Sequence, residues 1–366
     1  MKIVDVETFA VNVPHKVPFK AAYGTYYGCE YLIVKIRTDN GVVGVGESST
    51  IPIYGAESLE SSKFIVERYL RFAVIDQDPF DLAKIHARMN EAVFGNAYAK
   101  GGIDLALFDI AGKSLNVPVY TLLGGKYRQE VEVTGVLSNK RPEEMVLEAQ
   151  RYLRDGFKCL KMKVGVDPEM DLARLKAVRQ SVEDTPIKLD ANEGWTAQTA
   201  PGIIRKMEKY DPLYVEQPIP RWDLNGLADV SKSVETPIVA DECVGDEHDA
   251  MKIVEKRAAD YLNIKIARVG GLYRAKKIAT VAEAAGIPCI LGSMLELGVG
   301  TAAGIHFAVS TENLRYATEI VGPLYIVEDI VKNPLVFKNG LVEVPSTPGL
   351  GVDLDENKIS KLLAKL

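Results

Sequence analysis

A chain of 366 residues is too long for one small core and calls for one large barrel with appendages or for two domains. Hydrophobic residues at 47% and charged residues at 26% are globular values, which excludes disordered, collagen-like and fibrous classes. A formal net charge of -6, with no long basic run, argues against a nucleic-acid partner and for a small-molecule one.

From the N-terminus, Met1 to Val13 alternates apolar and polar residues and includes Asp5 and Glu7, which predicts a first strand rather than a secretory leader, and a cytoplasmic protein. Tyr31 to Arg37 and Val42 to Glu47 are β-rich runs joined by Thr38-Asp39-Asn40-Gly41, the signature of a hairpin. Helical patterns follow over 57–70, 79–93 and 97–115. The last has Ile103, Ala106, Leu107, Ile110 and Ala111 on one face and a stop at Pro118. Together these make an α+β unit.

Beyond residue 130, short β-branched runs alternate with helical segments, the pattern of a parallel sheet with crossover helices. Strands are expected near 131–135, 159–163, 186–190, 213–216, 237–241, 261–265, 288–292 and 316–319. Eight such units close into a (β/α)8 barrel. The segment from Pro323 has no βα pattern and is expected to pack back on the N-terminal unit. No stretch approaches the ~18 uninterrupted apolar residues of a membrane span. Cys29, Cys159, Cys243 and Cys289 are scattered, suggesting buried hydrophobes rather than a zinc site or disulfides.

Five predicted strands end in an ionisable residue: Lys163, Asp190, Glu216, Asp241 and Lys265, spaced 27, 26, 25 and 24 residues apart. That is one βα unit each, so all five should reach the same C-terminal mouth, where barrel enzymes keep their active sites. Three carboxylates converging there would repel one another without a cation between them, and an all-oxygen set favours Mg²⁺, or Mn²⁺, over zinc. One such Asp alone would be an ordinary helix cap.

Lys161 and Lys163 lie two apart on one strand and so share a face; a second ammonium nearby is one way to lower a lysine pKa toward that of a base. Lys265 ends the sixth strand, across the barrel. Two bases on opposite faces of one substrate would remove and return a proton, while a metal on the substrate carboxylate stabilised the enediolate between. A Schiff-base lysine barrel is the competing chemistry, and the three carboxylates speak against it. Gly270-Gly271 suggests a tight βα turn rather than a phosphate loop, and His306 in the apolar run Ala302 to Val309 suggests core.

Lys161-Met162-Lys163, Asp190-Ala191-Asn192, Glu216-Gln217-Pro218, Asp241-Glu242 and Lys265 to Gly271 resemble, in order and spacing, the motifs of the enolase superfamily, muconate-lactonizing-enzyme subgroup. Leu122-Leu123-Gly124-Gly125 and Pro348-Gly349-Leu350-Gly351 extend the resemblance to essentially the whole chain. The resemblance implies an α/β fold: a modified TIM barrel, (β/α)7β, over 126–322, with an N-terminal α+β capping domain over 1–125 completed by 323–366. It also implies metal ligands Asp190, Glu216 and Asp241 for Mg²⁺, with Mn²⁺ as the alternative, and an acid/base pair Lys163 and Lys265. Lys161 would bind the substrate carboxylate and Asn192 would be a further substrate-binding residue, with Glu242 close by and a homo-oligomer as the assembly.

Within the subgroup, the segments Gly292 to Glu296, which bring Ser293, Met294 and Glu296 to the substrate, and Glu319 to Pro323 are similar to those of N-acylamino acid racemases and muconate cycloisomerases. Dipeptide epimerases place an Asp-x-Asp on the eighth strand, where this chain has Thr318-Glu319-Ile320-Val321-Gly322-Pro323. Tyr54 and Glu57 fall at one expected lid loop, Tyr54 as a substrate-binding residue, and Tyr23, Tyr26 and Tyr27 near the other. The expected activity is racemisation or epimerisation of an N-acylamino acid or related amino-acid derivative, with muconate cycloisomerisation or dipeptide epimerisation as alternatives.

Overall fold

A computed structural model of the chain describes residues 1–21, 24–55 and 57–365. Tyr23, named above for the lid, lies outside the described residues. Strands β1 (Ile3–Ala21), β2 (Gly24–Thr38) and β3 (Val43–Thr50) form an antiparallel sheet in that order. The β2–β3 turn is the expected one: Thr38 donates its hydroxyl to Asn40 Oδ1 at 2.7 Å, and Gly41 takes φ +86°, open to glycine at no steric cost.

Helices α1 (Pro52–Gly55) and α2 (Leu59–Ile65) follow; α2 runs through a π-turn at Val66–Leu70 into α3 (Arg71–Val74), then come α4 (Leu82–Ala92) and α5 (Ala97–Leu115). Ser58 and Ser61 cap α2 reciprocally. The helix α5 is buried around its whole circumference from Tyr98 to Gly112, not on one face as its pattern suggested. It lies between the cap sheet and the barrel, and small residues allow that. An added Cβ on Gly46 of β3 would stand 1.8 Å from the Gly102 carbonyl oxygen.

After α6 (Val119–Leu122), the chain builds a seven-stranded parallel sheet of β5 (Gly135–Leu137), β6 (Leu160–Lys163), β7 (Ile187–Asp190), β8 (Tyr214–Glu216), β9 (Ile238–Ala240), β10 (Tyr261–Ile264) and β11 (Cys289–Leu291), each pairing with the next. The crossovers are α7 (Pro142–Arg154), α8 (Pro168–Val182), α9 (Ala200–Glu208), α10 (Leu224–Ser233), α11 (Glu247–Lys256), and the pair α12 (Ile266–Val269) and α13 (Leu272–Ala284). The helix α14 (Gly298–Ser310) follows β11.

Two expected strands came out differently. The run at 131–135 divides: β4 (Val131–Glu132) joins a separate small sheet, and the barrel strand starts at Gly135. The last one, 316–319, closes the ring without forming a full ladder: Glu319 N donates to Leu291 O at 2.9 Å on one side, and Thr134 N to Thr318 O at 2.8 Å on the other. The result is the modified (β/α)7β barrel. Its lower interior is plugged by Tyr214, Val239 and Ile290, with the Tyr214, Tyr261 and Tyr316 rings 5.6–6.3 Å apart.

The remaining chain contains α15 (Gly322–Tyr325), the hairpin β12 (Phe337–Lys338) and β13 (Leu341–Val342), and α16 (Glu356–Leu362). Strand β13 pairs with β4, and Ala364 N donates to Ala10 O at 2.9 Å, which brings the C-terminus against β1. His306 is core as expected, accepting at Nδ1 from Tyr120 N (3.3 Å) and donating from Nε2 to Leu350 O (3.1 Å). Gly270 and Gly271 form the expected tight turn at φ +92° and +103°.

Candidate active site

Alternation along a strand decides which side chains enter the barrel. Lys161 and Lys163 share the inward face of β6, as do Lys188 and Asp190 on β7, and Tyr214 and Glu216 on β8. Register sets Lys163 beside Asp190 and Asp190 beside Glu216. Asp241 and Lys265 come directly after β9 and β10. All of these residues are buried.

The charges are densely paired. Lys161 Nζ donates to Glu319 Oε2 (2.6 Å) and Glu216 Oε2 (2.8 Å) and stands 2.9 Å from Asp190 Oδ2. Lys163 Nζ donates to Asp190 Oδ2 (2.7 Å) and Asn192 Oδ1 (2.9 Å), and Asn192 Nδ2 donates to Glu242 Oε1 (2.9 Å). Lys265 Nζ and Arg268 Nη2 each donate to Asp241, at 2.6 Å. Asn263 Nδ2 donates to Glu216 Oε1 (3.0 Å), and Glu319 Oε1 accepts from Tyr214 Oη (3.2 Å) and Lys188 Nζ (3.5 Å).

Electrostatics follow from these contacts. Burial would raise Asp190, but Lys161 and Lys163 hold it below the usual carboxylate range. Arg268 and Lys265 do the same for Asp241. For Glu216, burial and the Asp190 charge outweigh Lys161 and push the carboxyl well above its ordinary range. Burial would depress Lys161 and Lys265, yet carboxylates more than reverse it: Asp190, Glu216 and Glu319 around Lys161, and Asp241 beside Lys265. Carboxylates, not the second lysine, therefore dominate the surroundings of Lys161.

Above the charges lies a small cavity with about 60 Å³ of free space. Lys161, Lys163, Lys265, Ser293, Met294 and Glu319 reach it from the barrel, and Tyr26, Cys29, Ile51 and Tyr54 cover it from the cap. Val136, Leu295, Val321 and Tyr325 complete an otherwise apolar wall. The Tyr54 ring centroid is 5.6 Å from Lys265 Nζ, a cation–π distance.

Not every expected substrate residue reaches this cavity. Glu296 turns back to accept from Ser293 Oγ (2.5 Å) and Met294 N (2.9 Å), shaping their loop. Asn192 stands behind Lys163 rather than in the wall. Glu57 accepts from Tyr98 N and Ala99 N at the start of α5, and Tyr27 is exposed to solvent. Lys188, Asn263 and Arg268 join the site beyond the five strand-end residues, and Glu319 takes its place in it as a partner of Lys161. Alternation along the strand is the signal for Lys188 and Asn263, which lie two positions before the strand-end residues Asp190 and Lys265 and hence on the same face.

Among the described residues, no three His, Cys, Asp or Glu side chains converge where an ion could be held. Ammonium, guanidinium and amide donors take up the carboxylate oxygens of Asp190, Glu216 and Asp241 instead. Their chemistry still fits a hard divalent cation: three fully buried carboxylates on adjacent strand ends, all oxygen, with Glu216 displaced far upward in the absence of further positive charge.

Residues 144–358 match the family model described as enolase C-terminal domain-like, and residues 3–124 match the N-terminal domain of mandelate racemase / muconate lactonizing enzymes. The chain belongs to this family. As a mandelate racemase / muconate lactonizing enzyme family member it is an isomerase of the enolase superfamily. The N-succinyl-L-Arg/Lys racemase of Bacillus cereus is 37% identical over 365 residues, covering 99% of this chain and 98% of the relative. Its crystal structure has a TM-score of 0.97 at 36% identity, covering 100% of this chain and 99% of that one. The chloromuconate cycloisomerase of Cupriavidus pinatubonensis is 34% identical over 335 residues, 90% of each chain. A dipeptide epimerase from Enterococcus faecalis, complexed with Mg and the dipeptide L-Leu-L-Tyr, has a TM-score of 0.92 at 35% identity over 96% of this chain and 100% of that one. Three reactions thus stand at nearly equal distance, so overall likeness does not choose among them.

Proposed function

We propose that this isomerase removes and returns the proton alpha to a substrate carboxylate, racemising or epimerising an N-acylamino acid or a related amino-acid derivative. One observation carries the reading: Lys163 and Lys265, at the ends of the second and sixth barrel strands, line the same cavity from opposite sides. One lysine takes the α-proton and the other delivers a proton to the opposite face. Lys161, on the cavity floor, orients the carboxylate. Asp190, Glu216 and Asp241 would hold Mg²⁺, or Mn²⁺ through the same oxygens, which when bound supplies a Lewis acid for the negative charge developing on the substrate carboxylate.

The cavity wall narrows the substrate. Glu319 is committed to Lys161 and Lys188, and position 321 is Val, so among the described residues no uncommitted carboxylate lines the cavity to hold a substrate ammonium. That favours a neutral acylated nitrogen over a dipeptide. Tyr26, Ile51, Val136, Met294 and Val321 favour an apolar side chain or acyl group. Cycloisomerisation of a muconate-like diacid is the second reading, favoured by the three lysines that reach the cavity.

Residues 126–322 serve in this reading as the catalytic barrel, with 1–125 and 323–366 as the cap. Exposed Phe64 (57%), Phe72 (67%) and Phe94 (97%) on the cap support a homo-oligomer, to be weighed by ultracentrifugation. Four free, buried cysteines support a reducing, cytoplasmic setting.

The test is α-proton exchange in D₂O with Mg²⁺, followed by NMR over N-acetyl and N-succinyl amino acids, dipeptides and muconate. Exchange of an acylamino acid that EDTA abolishes is the expected result. Turnover of muconate with no exchange of any amino-acid derivative would replace racemisation by lactonisation.

A further inference from the structure

The segment that lays Tyr54 over Lys265 is only a four-residue helix, α1, closed by bonds from Tyr54 N (2.9 Å) and Gly55 N (3.3 Å) to Ile51 O. So short a helix does not hold its own place. On the cap side it leans on Tyr98: an added Cβ on Gly55 would stand 1.9 Å from that ring. On the barrel side, Arg221 reaches up from the loop after β8 and donates from Nη1 to Tyr54 O (2.8 Å) and from Nη2 to Ile53 O (3.3 Å).

Arg221 is itself gripped from below. Glu193 Oε1 accepts from Arg221 N (2.6 Å) and Nε (2.9 Å), and Glu193 Oε2 accepts from Nη2 (2.6 Å). Glu193 belongs to the loop after β7, where Asn192 and Glu193 take φ +41° and +65° in succession. Two non-glycine residues in the left-handed region cost backbone energy, and such strain gathers at ligand clamps. That strain aims two side chains: Asn192 at Lys163, with 2.9 Å between Oδ1 and Nζ, and Glu193 at Arg221. One loop therefore touches the first lysine directly and reaches the cover of the second through Arg221.

We propose that Arg221 is a positioning residue that ties α1, and with it Tyr54, to the barrel over the substrate, with Glu193 as the anchor that presents its guanidinium. The planar fork explains the choice of arginine. One edge pairs with a carboxylate while the remaining N–H groups reach two carbonyls, a division of labour that a single ammonium does not reproduce. The kinetic consequence rests on the isomerase reading above; the structural one does not.

The experiment compares the wild type with Arg221→Ala, Arg221→Lys and Glu193→Gln. Arg221 is about one-third exposed, at 33%, so the variants should fold, which thermal melting verifies. Amide hydrogen exchange at Tyr54 and Gly55 is expected to quicken roughly tenfold in Arg221→Ala, the order of one or two lost hydrogen bonds. For an acylamino acid substrate, KM should rise by a similar factor with a smaller fall in kcat. Millimolar guanidinium should restore part of the loss, and Arg221→Lys should not. Unchanged amide exchange together with unchanged KM in Arg221→Ala would overturn the proposal, and so would full activity in Arg221→Lys. If the wild type moved no α-proton, the isomerase reading would fall, while amide exchange would still decide the role of Arg221.

Discussion

Lys161 has three carboxylate oxygens within 2.9 Å and is 2% exposed, so its charge and theirs depend on each other. Breaking a buried pair by removing one partner strands the other, at a typical cost of about 3–5 kcal/mol. Lys161→Met should lower stability by that order in urea unfolding, besides weakening substrate binding. Lys163 and Lys265 make a different case, because the role proposed for them is proton transfer. Lys163→Ala and Lys265→Ala should each reduce α-proton exchange by roughly 10²–10⁴ under saturating Mg²⁺. At this scale the strand-end residues were legible, since a charge ending an apolar strand is conspicuous. Their contacts were not: that Glu319 binds Lys161 rather than the substrate depends on how the last segment closes the ring, and that Glu296 turns back on Ser293 depends on the path of one loop.

Among the elements, the helix α5 shows how packing overrides pattern. Its own residues suggest one apolar face, which packs in the cap, where Gly44 and Gly46 of β3 let the sheet reach Gly102, Ala106 and Ile110, but the barrel covers the rest, with Gly270 and Gly271 against Gly101 and Asp104. Gly46→Ala would place a methyl 1.8 Å from the Gly102 carbonyl oxygen and 2.9 Å from Ala106 N, both backbone atoms with little freedom to yield. A loss of about 1–3 kcal/mol is expected, read as a lower urea midpoint with an unchanged m-value. The division of the 131–135 run has the same origin. Alternation marks a strand but does not name its partner, and β13, more than 200 residues later, captures Val131 and Glu132 before β6 pairs with Gly135.

At the scale of the molecule, acid and metal act on the folded state as a whole. Burial pushes His306 down to about 4, against the partly opposing bond to Leu350 O. Its unfolded value is near ~6.5. Between these limits the unfolded chain binds the proton and the native one does not. The contribution is complete above about pH 6.5 and is lost progressively toward pH 4, by up to about 3 kcal/mol. His306→Gln should flatten that part of a stability–pH profile measured by denaturant titration. Mg²⁺ held only by the native state should raise the melting temperature with the logarithm of its excess over Kd, and EDTA should reverse it.

By itself the sequence determined the βα repeat, the cap ahead of it, and the five ionisable strand ends, because each of these is written in local periodicity and in spacing of one unit. Its motifs also sufficed to place the chain in its superfamily. Only the tertiary structure decided which charges pair, which lid residues face the cavity and how Arg221 spans cap and barrel. Those contacts join residues 24 or more positions apart, and their distances depend on closing the ring and docking the cap, to which no local pattern refers.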